Sequence, residues 1–292
     1  MLNKFSRYVC QNCGYETSQY FGRCMNCKEW NSIIEEEKSV VSKKNIIKKS
    51  KKSKLFTEIE IKEISRIKTG FNEFDRVLGG GLVHGSIILL GGEPGIGKST
   101  LVLQAAAQMS LSHNVIYITA EESLEQVKVR WKRLNQRNSN LKVFAENNLS
   151  IIIQEIKENK PTIAIIDSIQ AINNSDLESA SGSVSQVRSC SSELQKFAKD
   201  YNISLLIIGH VTKDGTLAGP KTLEHLVDVV LNFEGDHIAS HRLLRGIKNR
   251  FGATFELGIF EMLENGLNEI KNPSSNFTNK ENIAGVATTI TQ

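Results

Sequence analysis

Residues 86–109 read SIILLGGEPGIGKSTLVLQAAAQM. An apolar run, a glycine-rich turn and a run of helix-forming residues follow one another, which is the order strand, loop, helix. Within it, Gly92 to Ser99 meet the spacing G-x-x-x-x-G-K-[ST] in full. Successive backbone N–H groups and a helix N-terminus then make a concavity suited to polyphosphate. Gly92, Glu93, Pro94, Gly95, Ile96, Gly97, Lys98 and Ser99 are the candidate nucleotide-binding residues. Lys98 can reach the β and γ phosphates of ATP, and Ser99 can hold Mg²⁺. A glycine turn with an incidental lysine is the alternative, and the flanking strand and helix argue against it.

Working outward, apolar runs alternate with helical patterns. NVIYITAEE (114–122), LKVFAE (141–146), PTIAIIDSI (161–169) and ISLLIIGHV (203–211) read as strands. SLEQVKVRWKRLNQ (123–136), capped by Ser123, SIIIQEIKENK (150–160) and residues 184–200 read as helices. TGFNEFDRVLGG (69–80) reads as a short helix stopped by glycine, and VDVVLNFEG (227–235) and SHRLLRGIKNR (240–250) as late antiparallel strands. This alternation predicts an α/β fold with a mostly parallel sheet covered on both faces, and a ligand site at the carboxyl ends of its strands.

That placement selects the remaining candidates. Asp167 ends the strand TIAIID, the arrangement of a carboxylate that orients Mg²⁺ and its water, although an ordinary strand-terminal Asp has the same local sequence. Glu121 and Glu122 end the strand after the phosphate loop, and an adjacent parallel strand would bring one beside the γ phosphate. Glu121 is the expected general base, and Glu122 is expected to open the next helix, where its charge suits the dipole. His210 follows ISLLIIG and is a candidate γ-phosphate sensor, or else structural.

The chain has 292 residues and a formal charge of +4. That charge is too small to establish nucleic-acid binding. No apolar run reaches the 18–20 residues of a membrane span, and no signal-peptide core precedes the first cysteines, so a cytoplasmic protein without membrane contact is expected. Residues 43–54, KKNIIKKSKKSK, hold seven lysines and no acid: either a solvated linker or a tether attracted to phosphate. The expected organisation is a ribbon at 5–31, a basic linker at 32–56, the ATPase domain at 57–270 and a polar tail or truncated domain start at 271–292.

Cys10, Cys13, Cys24 and Cys27 are spaced C-x₂-C-x₁₀-C-x₂-C. Two close pairs can present four sulfurs to one tetrahedral Zn²⁺, which would supply folding energy that so short a segment cannot draw from an apolar core. Gly14 and Gly22 are placed for tight turns, and Tyr15, Tyr20, Phe21 and Trp30 are expected to give an apolar cover. A pair of disulfides is the alternative. Cys190 needs no role beyond filling space.

With these residues in view, the chain resembles the RadA (Sms) family of bacterial DNA repair proteins, a branch of the RecA-like ATPases. The carriers are YVCQNCGY and GRCMNC, residues 69–104 around the phosphate loop, ITAEES, IIDSIQ, GHVTKDGTLAGPKTLEHLVDVVLNFEG and KNRFG (248–252). The resemblance implies a RecA-like core in hexameric rings with ATP bound between subunits, and nucleotide contacts extending to Thr100. It implies a DNA-dependent ATPase, a helicase-type motor that extends strand exchange by branch migration on single-stranded and branched DNA with a RecA-type recombinase. A nucleotide-switched DNA- or recombinase-binding module without motor activity is the alternative. Lys248 and Arg250 of KNRFG would reach a neighbour's nucleotide or bind DNA. The implied DNA-facing loops, 178–188 and 212–221, are read as flexible and contribute Arg188, Lys213 and Lys221. Family members continue into a domain similar in fold to the Lon protease domain, and this sequence stops near where that domain begins.

Overall fold

The computed structural model describes residues 6–10, 13–37, 55, 65–135, 140–210, 222–235 and 240–270. The linker around 43–54, the loop with Lys213 and Lys221, and the tail from 271 lie outside the described residues.

A small antiparallel sheet opens the chain. β1 (Ser6–Cys10) is flanked by β2 (Glu16–Thr17) and β3 (Ile33–Glu37), with Cys10 opposite Ile33. The short pair β4 (Arg66–Ile67) and β5 (Leu82–Val83) brackets helix α1 (Asn72–Val77), which ends at Gly79 with φ +78°.

The main sheet is built from β6 (Ile87–Gly92), β7 (Val115–Thr119), β8 (Lys142–Ala145), β9 (Ile163–Asp167), β10 (Ser204–Ile208), β11 (Val229–Gly235), β12 (His241–Asn249), β13 (Leu257–Leu263) and β14 (Gly266–Glu269). Its order is β14-β13-β12-β11-β6-β10-β9-β7-β8. The strands from β11 to β8 pair in parallel, and β12, β13 and β14 add an antiparallel extension. The strand within 227–235 departs from the antiparallel expectation. It is parallel to β6 and antiparallel only to β12, because it comes back over the sheet after α6 (Thr222–Leu226) before the hairpin turns.

Period-two alternation explains why both faces are covered. Ile88 and Leu90 of β6, Ile163 and Ile165 of β9, and Leu206 and Ile208 of β10 belong to one core, which includes α2 (Lys98–Met109) and α1. Ile87 and Leu89, Ala164 and Ile166, and Leu205 and Ile207 belong to the other, with α4 (Leu149–Asn159) and α5 (Val184–Tyr201). Each large apolar side chain contributes about 1.5–3 kcal/mol by leaving water, so a continuous apolar strand is stable only with cover on both sides.

Helix ends follow local chemistry. Ser123 and Gln126 form a capping box at α3 (Leu124–Arg133). Asn148 caps α4, Ser183 caps α5, and Asn202 ends α5 in the left-handed region. Helix α2 differs: its N-cap is Gly97 at φ +113°, with no side chain satisfying the first N–H groups. Among the described residues, no helix is long and apolar enough to cross a membrane.

Candidate nucleotide site and metal centre

The phosphate loop joins β6 to α2 at the carboxyl ends of the parallel strands. Gly92 has φ +155°, and a Cβ there would lie 2.5 Å from the Phe233 carbonyl oxygen, so any other residue would push the loop from β11. Gly95 (φ +78°) opens onto free space. The uncapped N–H groups of α2 therefore remain for an anion. Lys98 is buried and turns back on its own loop, donating to the carbonyls of Gly92 at 2.8 Å and Glu93 at 2.7 Å. Burial lowers its ammonium to about 8, against the opposing pull of Asp167, Glu121 and Glu93. A buried cation bent onto carbonyl oxygens is a group that gains by meeting phosphate. Beside the loop, Gly92, Glu93, Ile96, Asn232, Phe233 and Gly235 line a cavity of about 330 Å³.

The carboxylates come from two neighbouring strands. Asp167 ends β9 and is buried; its Oδ2 accepts from the Tyr117 hydroxyl on β7. Glu121 lies just past β7, where its Oε1 accepts from the Ser168 hydroxyl and meets His210 Nε2 at 3.3 Å. The His210 contact, then Ser168 and the nearby Lys98, hold the Glu121 carboxyl below its ordinary value against the effect of burial. Glu122 faces elsewhere, paired with Arg130 of α3. His210 Nδ1 is buried without a partner among the described residues.

Strand order corrects one expectation. The strand carrying Glu121 is not beside the phosphate-loop strand; β10 and β9 stand between β6 and β7. Glu121 and Asp167 nevertheless both act on Lys98, because they extend past the same end of the sheet. Tyr117 and Ser168 escape sequence reasoning, since a buried strand tyrosine and a serine after an aspartate carry no signal until β7 and β9 are known to pair.

Lys248 and Arg250 stand apart from this chain's own loop. Lys248 Nζ donates to the carbonyls of Glu224 (2.5 Å) and Val227 (2.8 Å), and Arg250 pairs with Asp228 at 2.8 Å. Asp228 in turn accepts from the backbone N–H of Ile87, at the start of β6, whereas the phosphate loop begins at its other end. Five residues of strand separate the two, about 17 Å. Both cations thus sit near the start of β6, at the end of the strand away from their own chain's phosphate loop. Arg188 lies on helix α5 rather than in a flexible loop, and it pairs with Glu16 of the ribbon at 3.1 Å. Cys190 is fully buried in the core.

In the ribbon the four cysteine sulfurs lie within 4.8 Å of one another, with Cys10–Cys27 at 3.6 Å and Cys13–Cys24 at 3.5 Å. All are free thiols, too far apart for the roughly 2.05 Å of a disulfide bond. Tetrahedral Zn²⁺ with bonds of about 2.3 Å needs sulfurs about 3.8 Å apart, so the donor set fits zinc. Burial pushes the Cys13 thiol up to about 12, with Cys24 and Cys27 adding to the rise; a thiolate there needs a cation. Cys10 and Cys24 pack with Ile33 and against Tyr8. The aromatic cover expected from Tyr15, Tyr20, Phe21 and Trp30 is only partial: all four keep substantial exposure, Trp30 at 67%, and Tyr20 packs edge-on against Tyr8, while Ile33 of β3 supplies the buried packing residue. Zinc-replete protein is expected to carry about one Zn²⁺ per chain. Cys13→Ser should lose it and become protease-sensitive before residue 35, with core thermal unfolding unchanged; metal analysis with limited proteolysis checks both.

Comparison with known proteins places this geometry. The family model described as AAA domain matches residues 55–216, and that described as rubredoxin metal binding domain matches 8–35. The DNA repair protein RadA of Bacillus subtilis (strain 168) is 47% identical over 298 residues, covering 100% of this chain and 65% of that protein. The DNA repair protein RadA of Listeria monocytogenes is 49% identical, covering 93% of this chain and 60% of that one. The chain thus spans less than two thirds of the length of these relatives. Among solved structures, one ATPase domain aligns with TM-score 0.62 at 15% identity over 71% of this chain and 92% of that one. A KaiC-like protein from Pyrococcus horikoshii OT3 aligns with TM-score 0.58 at 17% identity over 71% and 99%. These two show the fold, a RecA-like ATPase core. With a family model over more than half of its length and RadA proteins matching it throughout, the chain belongs to the AAA domain family, on the branch represented by RadA.

Proposed function

We propose that this chain hydrolyses ATP in DNA repair and recombination, coupling turnover to single-stranded and branched DNA alongside a RecA-type recombinase. The observation that carries the reading is the convergence of Lys98, Asp167 and Glu121 at one end of the sheet, beside an uncapped helix N-terminus. Lys98 would leave the carbonyls of Gly92 and Glu93 for the β and γ phosphates. Ser99 and Asp167 would hold Mg²⁺, which when bound neutralises charge on the phosphates. Glu121, held below its ordinary proton affinity, is ionised near neutral pH and would orient the attacking water. His210, on the same carboxylate oxygen, would report the state of the γ phosphate to the loop that follows it. The names of the relatives support the DNA repair role. Phosphate contacts from the basic segments would give DNA binding with little sequence preference.

The position of Lys248 and Arg250 supports a ring in which they serve the next subunit's nucleotide, a charge that stabilises the transferred phosphoryl group across the interface. Arg250→Ala and Lys98→Ala should each be inactive alone with Mg-ATP and single-stranded DNA. Mixed in equal amounts, they should regain turnover, because an intact Lys98 site of one chain can meet an intact Arg250 of another. No recovery in mixtures shown by native mass spectrometry to co-assemble would remove the shared-site reading.

A further inference from the structure

Two hydroxyls cross between β7 and β9 in opposite senses. Tyr117, within β7, donates to Asp167 Oδ2 at the end of β9. Ser168, directly after β9, donates to Glu121 Oε1 just beyond β7. The backbone fixes this exchange: Thr119 is the register partner of Asp167, and the Ala120 N–H donates to the Asp167 carbonyl at 2.8 Å. Tyr117 and Ser168 are both fully buried, so neither hydroxyl is shared with bulk water. Each carboxylate is held by one oxygen, which leaves Asp167 Oδ1 and Glu121 Oε2 without a protein donor among the described residues.

We propose that Tyr117 and Ser168 are positioning residues for ATP hydrolysis, a reciprocal brace that fixes the metal-binding carboxylate and the general base relative to each other. The proposal rests on the reading of Glu121 as the base. A carboxylate past a strand end rotates freely unless something ties it, and a displacement of about 1 Å can cost on the order of 10²-fold in rate. The tie also has to leave the base basic. A cation would neutralise it, as Arg130 does for Glu122. A neutral hydroxyl orients one oxygen and leaves the charge available. The charged and titratable groups facing Glu121 are His210, on the same oxygen, and Lys98. Ser168 is the neutral member of that set.

The test uses the full zinc-loaded chain with Mg-ATP. Ser168→Ala should lower kcat about tenfold with an unchanged KM for ATP. The acidic limb of its kcat–pH profile should move to higher pH, because Glu121 loses a donor that favours its ionised form. Ser168→Thr, which keeps the hydroxyl, should restore both. Tyr117→Phe should lower kcat and raise the Mg²⁺ concentration for half-maximal rate. Wild-type kcat and an unmoved acidic limb in Ser168→Ala would overturn the brace. So would a fall in kcat that tracks a lowered Tm with the limb unmoved, since that marks a structural role only. If Tyr117→Phe does not fold, the Ser168 pair decides. Failure of the brace is separable from failure of the base: Glu121→Gln at wild-type turnover defeats the base, whereas a slow Glu121→Gln beside a normal Ser168→Ala defeats only the brace.

Discussion

Lys98→Ala should lose ATP turnover by about 10²–10³-fold, the scale for removing one preorganised charge from a developing anion. Three observations set this expectation. The ammonium lies buried inside the loop, its hydrogen bonds go to carbonyl oxygens of that loop, and the Asp167 and Glu121 carboxylates lie near enough to act on its charge. The variant should fold. Burial holds the folded Lys98 down to about 8, below its ordinary 10.5, so folding disfavours its protonated form. The sign follows: between those two values the unfolded chain binds more protons, so this group's contribution to stability rises with pH and is unfavourable at pH 7. Removing it should therefore leave Tm at pH 7 unchanged or higher. A steady-state phosphate-release assay with parallel thermal melts checks both parts, and a variant that is inactive because it is unfolded would not meet the expectation.

Glu121→Gln should bind Mg-ATP as the wild type does yet hydrolyse it on the order of 10²–10³-fold more slowly, since the amide keeps the shape and cannot accept a proton. Glu122→Gln should keep most of the activity. The two residues adjoin in sequence but differ in surroundings. Glu121 meets Ser168, His210 and the field of Lys98, whereas Glu122 is neutralised by Arg130 on the outer helix. Equilibrium binding of a fluorescent ATP analogue, beside turnover, separates the two functions. Wild-type turnover in Glu121→Gln with loss in Glu122→Gln would reverse the assignment.

Much of the fold is legible in the sequence because it is written in local spacing. The glycines of the phosphate loop, the continuous apolar strands and the paired CxxC turns each specify their geometry within a few residues, and Ser123 and Gln126 declare a helix start by their own chemistry. What is not legible depends on strand order. The sequence places Glu121 after the strand that follows the phosphate loop, but does not state that β10 and β9 intervene. The pairing of β7 with β9, and with it the roles of Tyr117 and Ser168, follows only from that order. The same holds for KNRFG: its cations are conspicuous in the sequence, but their distance from the chain's own nucleotide site appears only once β12 runs back to the start of β6. Arg188 falls in two overlapping sequence readings, the helix 184–200 and the loop 178–188; the structure keeps the helix, which Ser183 caps, and the glycine and serine at 181–183 are what extend the loop reading too far. The ribbon aromatics are only partly legible: Tyr20 packs on Tyr8, but the buried place beside the cysteines goes to Ile33, which β1–β3 pairing brings opposite Cys10.

The central claim is that this site hydrolyses ATP rather than only holding it. A single-turnover rapid-quench experiment tests it most directly, with the zinc-loaded wild-type chain in excess over γ-labelled Mg-ATP, with and without single-stranded DNA, and with Glu121→Gln as the comparison. The wild type should release labelled phosphate, faster with DNA, while Glu121→Gln retains intact ATP. Wild-type protein that binds the nucleotide fully and returns it as ATP under both conditions would contradict the claim.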